Sequence, residues 1–419
     1  MLEGMPESML EAILIGVCLG IISGLIPGIH NNTFSALILA YLPLLFEFFS
    51  PEEVALIIFT NAITHTFIDI LPSIFIGVPN EDTALSILPS HEMVLEGRGF
   101  QAVSISAFSS MFSFLVSLPV FLLFNLFLSS NWKFLYEITP FFLILVIFFL
   151  VFSEKGDIYA ASLNIWLKRA YSLFIIVLSG IIGYFAFKYS FYVEIRVGSS
   201  VFIPMMLGFF AVPVVYAGMQ NRSEIPEQRV TLNVPKVRHV LPGSFSGALV
   251  SLFPGVSSGI AAAISTARLK SREAYISAIS AANTSNVMLC FSVLFSTGFT
   301  RSGAANAFKY VIGSHFNNNE IMNLIFIGLF VAVLSLCITL LLGALFSKFV
   351  VKTERVSRLS LAILVFVFLY SFYMTGVFGI LILLASSFTG LLTVKLNVKR
   401  VACMGCIILP VLLYRLGYV

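Results

Sequence analysis

The sequence predicts an all-α polytopic membrane protein with an inverted-topology repeat: about ten transmembrane helices plus two re-entrant Pro-Gly helical hairpins. Three observations predict it. Of 419 residues, 59% are hydrophobic and 11% charged, against roughly 25% charged in a soluble domain. Apolar runs last about 15–25 residues, which suits membrane-crossing helices and not barrel strands. Two of the runs are interrupted by Pro-Gly, and the two interruptions match each other without a gap. The composition excludes a soluble globular domain, a disordered chain and a nucleic-acid-binding module. A net charge of +4 points to no polyanionic partner.

The first pair of segments, 9–26 and 32–49, is joined by Ile26-Pro27-Gly28-Ile29-His30-Asn31-Asn32. Both are short and tightly joined. Pro cannot donate to a helix ladder and Gly permits the turn, so a hairpin that enters and returns is expected. Segments at 54–77, 100–129, 138–152, 168–187 and 200–218 follow as spans. The polar stretch 220–238 then divides the chain into a first half, 1–219, and a second, 239–419. The second half opens with 239–253 and 256–267, joined by Phe253-Pro254-Gly255-Val256-Ser257-Ser258. Spans at 274–297, 320–348, 357–374, 376–394 and 400–418 complete it. No cleavable signal is expected, because Glu3, Glu7 and Glu11 stand where one would carry Lys or Arg.

A shift of 227 positions superposes Gly16 on Gly243, Gly20 on Gly247, Pro27 on Pro254 and Gly28 on Gly255, with Gly24 on Ser251. Glycines four apart make a smooth ridge for close helix packing, a structural role. A second match pairs Thr60-Asn61-Ala62-Ile63-Thr64-His65-Thr66 with Ala282-Asn283-Thr284-Ser285-Asn286. Each copy follows a helix-start signal, Ser50-Pro51-Glu52-Glu53 or Ser271-Arg272-Glu273.

Charge sets the orientation. No Lys or Arg precedes Arg98, whereas Lys236, Arg238, Arg268, Lys270 and Arg272 flank the second hairpin. The positive-inside rule places the second hairpin toward the cytoplasm and the first toward the outside. Five spans after each hairpin make the halves inverted. Lys168 and Arg169, and the cluster from Lys395 to Arg400, then fall inside. The acidic loop 79–98 fits this orientation poorly.

Inverted repeats with broken helices mark secondary transporters. A helix starting at a mid-membrane break presents unpaired N–H groups and a positive dipole end, an anion site where water is scarce. Gly28, His30, Asn31, Asn32 and Thr33 line one start; Gly255, Ser257 and Ser258 line the other. Asn283 and Asn286 are expected to join this substrate site, and Arg301, after Thr297-Gly298-Phe299-Thr300, to meet an anion. Asn61, Thr64, His65, Asp69, Thr284 and Ser285 are candidates for a coupling ion, Na⁺ or H⁺. Their oxygens would equally serve as bonds between helices. Asp69 and His65 are four apart, on one helical face, and an intramembrane acid is functional by default. The alternative is a structural pair capping a kink before Pro72. His91 and His239 are expected in loops.

No cofactor and no metal site is expected. Cys403 and Cys406 form a C-x-x-C without further ligands nearby, and read as two small hydrophobes on a helix. No Walker A loop or nucleophile elbow occurs. The chain is therefore not expected to be an enzyme. The enzyme reading left open is a membrane-embedded hydrolase with His65 as base and Asp69 as its orienter.

Gly20-Ile21-Ile22-Ser23-Gly24-Leu25-Ile26-Pro27-Gly28 resembles the opening motif of the TctA family, the large membrane subunit of tripartite tricarboxylate transporters. The stretch Ile76-Gly77-Val78-Pro79 through Thr83, Pro89 and Glu92 to Gly97-Arg98-Gly99 is similar to that family's next loop. Phe253-Pro254-Gly255 and Ala281-Ala282-Asn283 resemble its second Pro-Gly turn and later Ala-Asn-Asn. The resemblance touches both repeats. It implies a carboxylate permease of the cytoplasmic membrane, working with a small membrane subunit and a periplasmic binding protein. The family's Tyr-Gly-Gly pattern is replaced here by Asn61-Ala62-Ile63-Thr64-His65-Thr66, and its Pro-Gly-Thr by Pro79-Asn80-Glu81. Pro254-Gly255-Val256-Ser257-Ser258-Gly259 also resembles the motif of a bacterial family that translocates polyprenyl phosphates. The expected partners are thus a small anionic solute or a lipid phosphate, within a lipid bilayer and without nucleic acid. A homo-oligomer is compatible with this.

Overall fold

The computed structural model describes residues 7–26, 31–75, 83, 87–154, 162–193, 201–213, 215–216, 226–253, 258–266, 269, 271–300, 302–313, 316–350 and 356–418. All regular structure among them is helical. In the first half the order is α1 (Glu7–Leu25), α2 (Asn31–Ala40), α3 (Pro51–Ile68), α4 (Ile70–Phe75), α5 (Ile87–Leu95), α6 (Gly99–Phe152), α7 (Ser162–Lys188) and α8 (Phe202–Ala211). In the second half it is α9 (Val237–Ser251), α10 (Ser258–Thr266), α11 (Arg272–Thr297), α12 (Gly303–Ile312), α13 (Asn318–Val350), α14 (Val356–Lys395) and α15 (Gly405–Arg415). A turn of helix at Leu42–Leu45 and 3₁₀ turns at Ser190–Tyr192 and Arg400–Met404 lie between them.

The chain is a polytopic helical membrane protein. Seven helical stretches among the described residues are long and apolar enough to cross a bilayer. One of the seven, Glu7–Leu25, is the first arm of the expected hairpin, so the other six stand against about ten expected spans. The difference has local causes. Glu137–Phe152 and Phe202–Ala211 are apolar but short. Gly99–Leu128 and Glu137–Phe152 are separate apolar stretches at the two expected segments. The chain of α6 doubles back between them, since Ser244 of α9 donates to Ser113 Oγ at 2.9 Å while Phe253, just after α9, stacks on Phe142 with centroids 4.0 Å apart. The expected division near 375 is present as a bend at Gly376, whose φ of 65° and ψ of −159° lie outside helical space. Large apolar side chains such as Phe127, Phe141, Val377 and Phe388 are exposed, as a lipid-facing surface requires.

Both predicted interruptions fall between helices: α1 ends at Leu25 before α2, and α9 at Ser251 before α10. The helix-start signals also hold. Ser50 caps α3 in a reciprocal box, accepting from the Glu53 N–H at 3.3 Å and donating its own N–H to Glu53 at 2.8 Å. Ser271 caps α11, accepting from Ala274 N–H at 3.2 Å.

From Val54 to Phe75 the span is buried, and α11 is largely so. These two helices are the hub. The glycine ridge of α1 lies on α3: a Cβ on Gly16 would stand 2.7 Å from Ile57 O, and one on Gly20 3.0 Å from Asn61 O. The ridge of α9 lies on α11 in the same manner: a Cβ on Gly243 would stand 2.1 Å from Ala278 O, and one on Gly247 2.5 Å from Ala282 O. The two partner sets differ by 221 positions, the offset that also relates Ser50 to Ser271. This corrects the sequence match by one residue. In packing register Asn61 corresponds to Ala282, not Asn283, and His65 corresponds to Asn286.

A second correspondence has no counterpart in the sequence reading. A Cβ on Gly183 (α7) would stand 1.9 Å from Cys406 O (α15), and one on Gly390 (α14) 2.6 Å from Phe209 O (α8). A Cβ on Gly405 would likewise stand 2.2 Å from Ile176 O and one on Gly208 2.7 Å from Leu383 O. Each contact maps onto its mate by exchanging α7 for α14 and α15 for α8. Pro213 and Pro410 each follow their glycine, Gly208 or Gly405, at the same spacing. That spacing is the signal that could have revealed it.

In the acidic stretch 79–98 the described carboxylates Glu92 and Glu96 are paired with arginines. Gly97 takes a φ of 74° to end α5, and its carbonyl accepts from Arg229 N–H at 2.9 Å. Gln228 accepts from Gly99 N–H and donates to Val94 O, docking the linker on the α5–α6 corner. Arg272 at the start of α11 pairs with Glu92 and Glu96, and Arg98 pairs with Glu96 and Glu273. Loop, linker and α11 start therefore share one end of the molecule. The Arg272 guanidinium, with Arg98 behind it, holds the Glu96 carboxyl below its usual range. This stabilisation is present above the unfolded-state pKa and is lost as pH falls through the depressed one. Glu96→Gln should lower the melting temperature slightly at low salt and less at high salt, because exposed pairs are weak and screened. A thermal melt at two salt concentrations checks this.

Candidate functional site

The polar residues of both hub helices meet at the centre. Asp69, 1% exposed, sits at the end of α3 where the helix bends into α4, three residues before Pro72. Proline supplies no N–H and crowds the preceding turn, which accounts for the bend. Asn283 Nδ2 of α11 donates to Asp69 Oδ2 at 2.8 Å. Thr66 and Thr284 hydroxyls lie 3.2 Å apart across the same contact. Thr64 is held by Ser335 Oγ of α13 at 3.0 Å. Ser285 donates to Ser244 O of α9 at 2.7 Å, the between-helix bond that was the alternative for this cluster.

His65 takes a different partner. Its Nδ1 lies 2.9 Å from Ser23 Oγ on α1, and Asn61 Nδ2 donates to that hydroxyl at 3.3 Å. Ser23 also reaches Gly20 O at 3.3 Å. This set accepts two protonation states at Nδ1. With Nδ1 bare, Ser23 donates to it; with Nδ1 protonated, the ring donates to Ser23 and the serine proton turns to Gly20 O. The Ser23 hydroxyl keeps an acceptor for its proton in either state. Ser23 was missed as a site residue. Its sequence signal is a hydroxyl placed within the Gly16–Gly20–Gly24 ridge, the face that packs on α3.

Asn31 opens α2, is 3% exposed, and donates through Nδ2 to Ala62 O at 3.4 Å. The carbonyl oxygens of Asn31, Asn61 and Asn283 are buried and have no hydrogen-bond partner among the described residues. A buried amide oxygen without a donor is costly unless a ligand or ion supplies the contact. Asn286 is half-buried and accepts from Cys290 Sγ at 3.8 Å. Ser258 is buried at the first position of α10.

Several expected site residues fall outside the described residues: Pro27, Gly28 and His30 at the first break, Pro254, Gly255 and Ser257 at the second, and Arg301. Asn32 and Thr33 lie in α2, but their side chains are outside the description. Asn31 and Ser258 mark the two helix starts. His91 and His239, expected in loops, lie in α5 and α9.

The chemistry of the hub is unequal between the halves. In the packing register, Thr64 stands opposite Ser285, His65 opposite Asn286, and Asp69 opposite Cys290. The histidine and the acid of this polar row therefore both come from α3.

Comparison with known proteins gives two results. The profile of the tripartite tricarboxylate transporter TctA family matches residues 10–405. The chain is also 27% identical over 404 residues to the uncharacterized protein MJ1079 of Methanocaldococcus jannaschii, covering 92% of this chain and 94% of that one. No solved structure matches it significantly. With nearly all of its length, both Pro-Gly segments and the polar hub inside that profile, the chain belongs to the tripartite tricarboxylate transporter TctA family.

Proposed function

We propose that the chain is an ion-coupled permease of the cytoplasmic membrane that moves a small carboxylate anion. The observation that carries this reading is the junction of the two buried polar rows, through Asp69–Asn283 and Thr66–Thr284, at a hub that Asn31 at the start of α2 also reaches. Polar groups at the centre of a membrane protein are costly and are kept for transport or relay. The halves 1–219 and 239–419 are inverted repeats joined by 220–238, with ten spans and two re-entrant hairpins. The paired glycine contacts support this, since exchange of equivalent helices is the signature of a two-fold axis. The anion sits between the starts at Gly28–Thr33 and Gly255–Ser258, held by backbone N–H groups and hydroxyls. Neither break carries Lys or Arg, so binding is weak enough for release.

The coupling ion binds on the α3 side. His65 with Ser23 suits a proton, and the amide oxygens of Asn31, Asn61 and Asn283 suit Na⁺. The family name implies two partner subunits. A small membrane subunit and a solute-binding protein on the outer face fit that expectation.

The test is uptake by the reconstituted transporter with its partner subunits, across a panel of carboxylates, under an imposed Na⁺ or H⁺ gradient. Accumulation should follow one gradient. Gly28→Leu and Gly255→Leu should abolish it in protein that still inserts and elutes as wild type. Lys236→Ala, outside the breaks, should leave it nearly unchanged. Uptake that survives both glycine changes rules out the anion site. Translocation of a polyprenyl phosphate without carboxylate uptake rules out the substrate class.

A further inference from the structure

We infer that the corner formed by the end of α6, the start of α7 and the turn 395–400 binds the phosphate headgroup of an anionic phospholipid. The Arg169 guanidinium carbon stands 4.8 Å from the ring centroids of both Phe152 and Trp166. The two rings meet edge to face at 6.4 Å, so they clamp the cation from two sides. Arg169 Nε is buried and has no hydrogen-bond acceptor among the described residues. A guanidinium fixed in this way keeps its fork of donors for a planar or tetrahedral anion.

The surroundings are basic. Lys168 precedes Arg169, and Lys395, Lys399 and Arg400 come from the facing turn. That turn is pinned to the α6 end: Lys399 N–H donates to Glu154 Oε1 at 2.9 Å, and Lys399 Nζ donates to Ser153 O at 2.6 Å. Ser179 of α7 donates to Ala402 O at 3.3 Å, which fixes α7 beside it. Glu154 is the one acid described in this corner; it is 5% exposed and directed inward to the Lys399 backbone. Lys155 and Asp157 lie outside the described residues.

The source of the phosphate is a lipid, because the site opens on an apolar face. Trp166 is 61% exposed, Phe152 50% and Phe148 57%, all on helices of the lipid-facing surface. Trp beside Arg is the pattern of a headgroup-level anchor, and the positive-inside rule places this end at the anionic cytoplasmic leaflet. The inference does not depend on the transported substrate.

The experiment uses the full-length protein with Trp132→Phe, which leaves Trp166 as the single tryptophan. It is placed in vesicles containing brominated phosphatidylglycerol or brominated phosphatidylcholine at equal bromine density. Trp166 fluorescence should be quenched more by the phosphatidylglycerol, and Arg169→Gln should remove the difference with the helical circular dichroism unchanged. Equal quenching by the two lipids in the Arg169 protein overturns the inference, whatever the variant does. So does a preference retained by Arg169→Gln. Millimolar inorganic phosphate should not abolish the preference; if it does, the site is one for soluble anions and the lipid assignment fails.

Discussion

Asp69→Asn should leave the protein folded and remove the dependence of uptake on the driving ion. The replacement keeps the shape and an oxygen that accepts from Asn283 Nδ2, so the α3–α11 contact survives. It removes the hub's buried carboxylate, the group whose charge the ion would balance. In wild type the ion should raise anion affinity by a typical coupling factor of roughly 5–150-fold. In the variant that factor should fall to about one. His65→Gln should flatten the pH profile of uptake and leave any Na⁺ dependence in place. Anion binding measured with and without ion gradients, across pH, separates the two. If Asp69→Asn retains full coupling, the carboxylate is a structural cap for the bend before Pro72.

Gly183→Leu and Gly390→Leu should be among the most destabilising single changes, and equally so. Even a Cβ would sit 1.9 Å from Cys406 O in the first case and 2.6 Å from Phe209 O in the second. Both obstacles are backbone of a packed helix, so the helices must separate. Overpacking by one methyl group typically costs about 1–3 kcal/mol, and a leucine adds three more carbons. Gly313→Ala gives the contrast. It has open space around it and strains only its backbone, at φ 88° and ψ −166°, for roughly 1–3 kcal/mol. Thermal unfolding in detergent should rank Gly183 and Gly390 together, above Gly313. A large inequality between Gly183 and Gly390 would mean that α7–α15 and α14–α8 are not equivalent pairs.

The sequence disclosed what glycine and proline encode. Pro27-Gly28 and Pro254-Gly255 mark breaks because no other residues interrupt an apolar helix so reliably. Gly16, Gly20, Gly243 and Gly247 mark packing ridges because a backbone approach tolerates little else. The register of α11 was misread by one residue. The shared Asn of Asn61 and Asn283 is an identity of composition, while equivalence in space is set by what the ridge touches. The α7–α14 correspondence was hidden because lipid-facing positions ask only for apolar residues, leaving Gly183/Gly390 and Gly208/Gly405 as sparse anchors. Helix α12 went unnoticed because ten residues with Lys309 and Tyr310 read as a loop. Its lysine in fact donates to Gly298 O at 2.7 Å, closing the corner where α11 ends. The ion pairs of Arg272 and Arg98 join segments some 175 positions apart in sequence, and no local pattern announces them. Ser23 was overlooked because a single hydroxyl on a glycine ridge looks like one more small residue until His65 faces it.

The inverted arrangement carries the whole account, since only opposite orientations bring the two helix starts together at one depth. Sided labelling tests it directly. On a background with the five native cysteines replaced, Glu52→Cys and Lys236→Cys place one exposed thiol at the start of α3 and one at the start of α9. A membrane-impermeant maleimide added to sealed right-side-out vesicles should label Cys at 52 and leave Cys at 236 unlabelled until the vesicles are opened. Labelling of both positions from the same side would contradict the inverted repeat and the shared anion site with it.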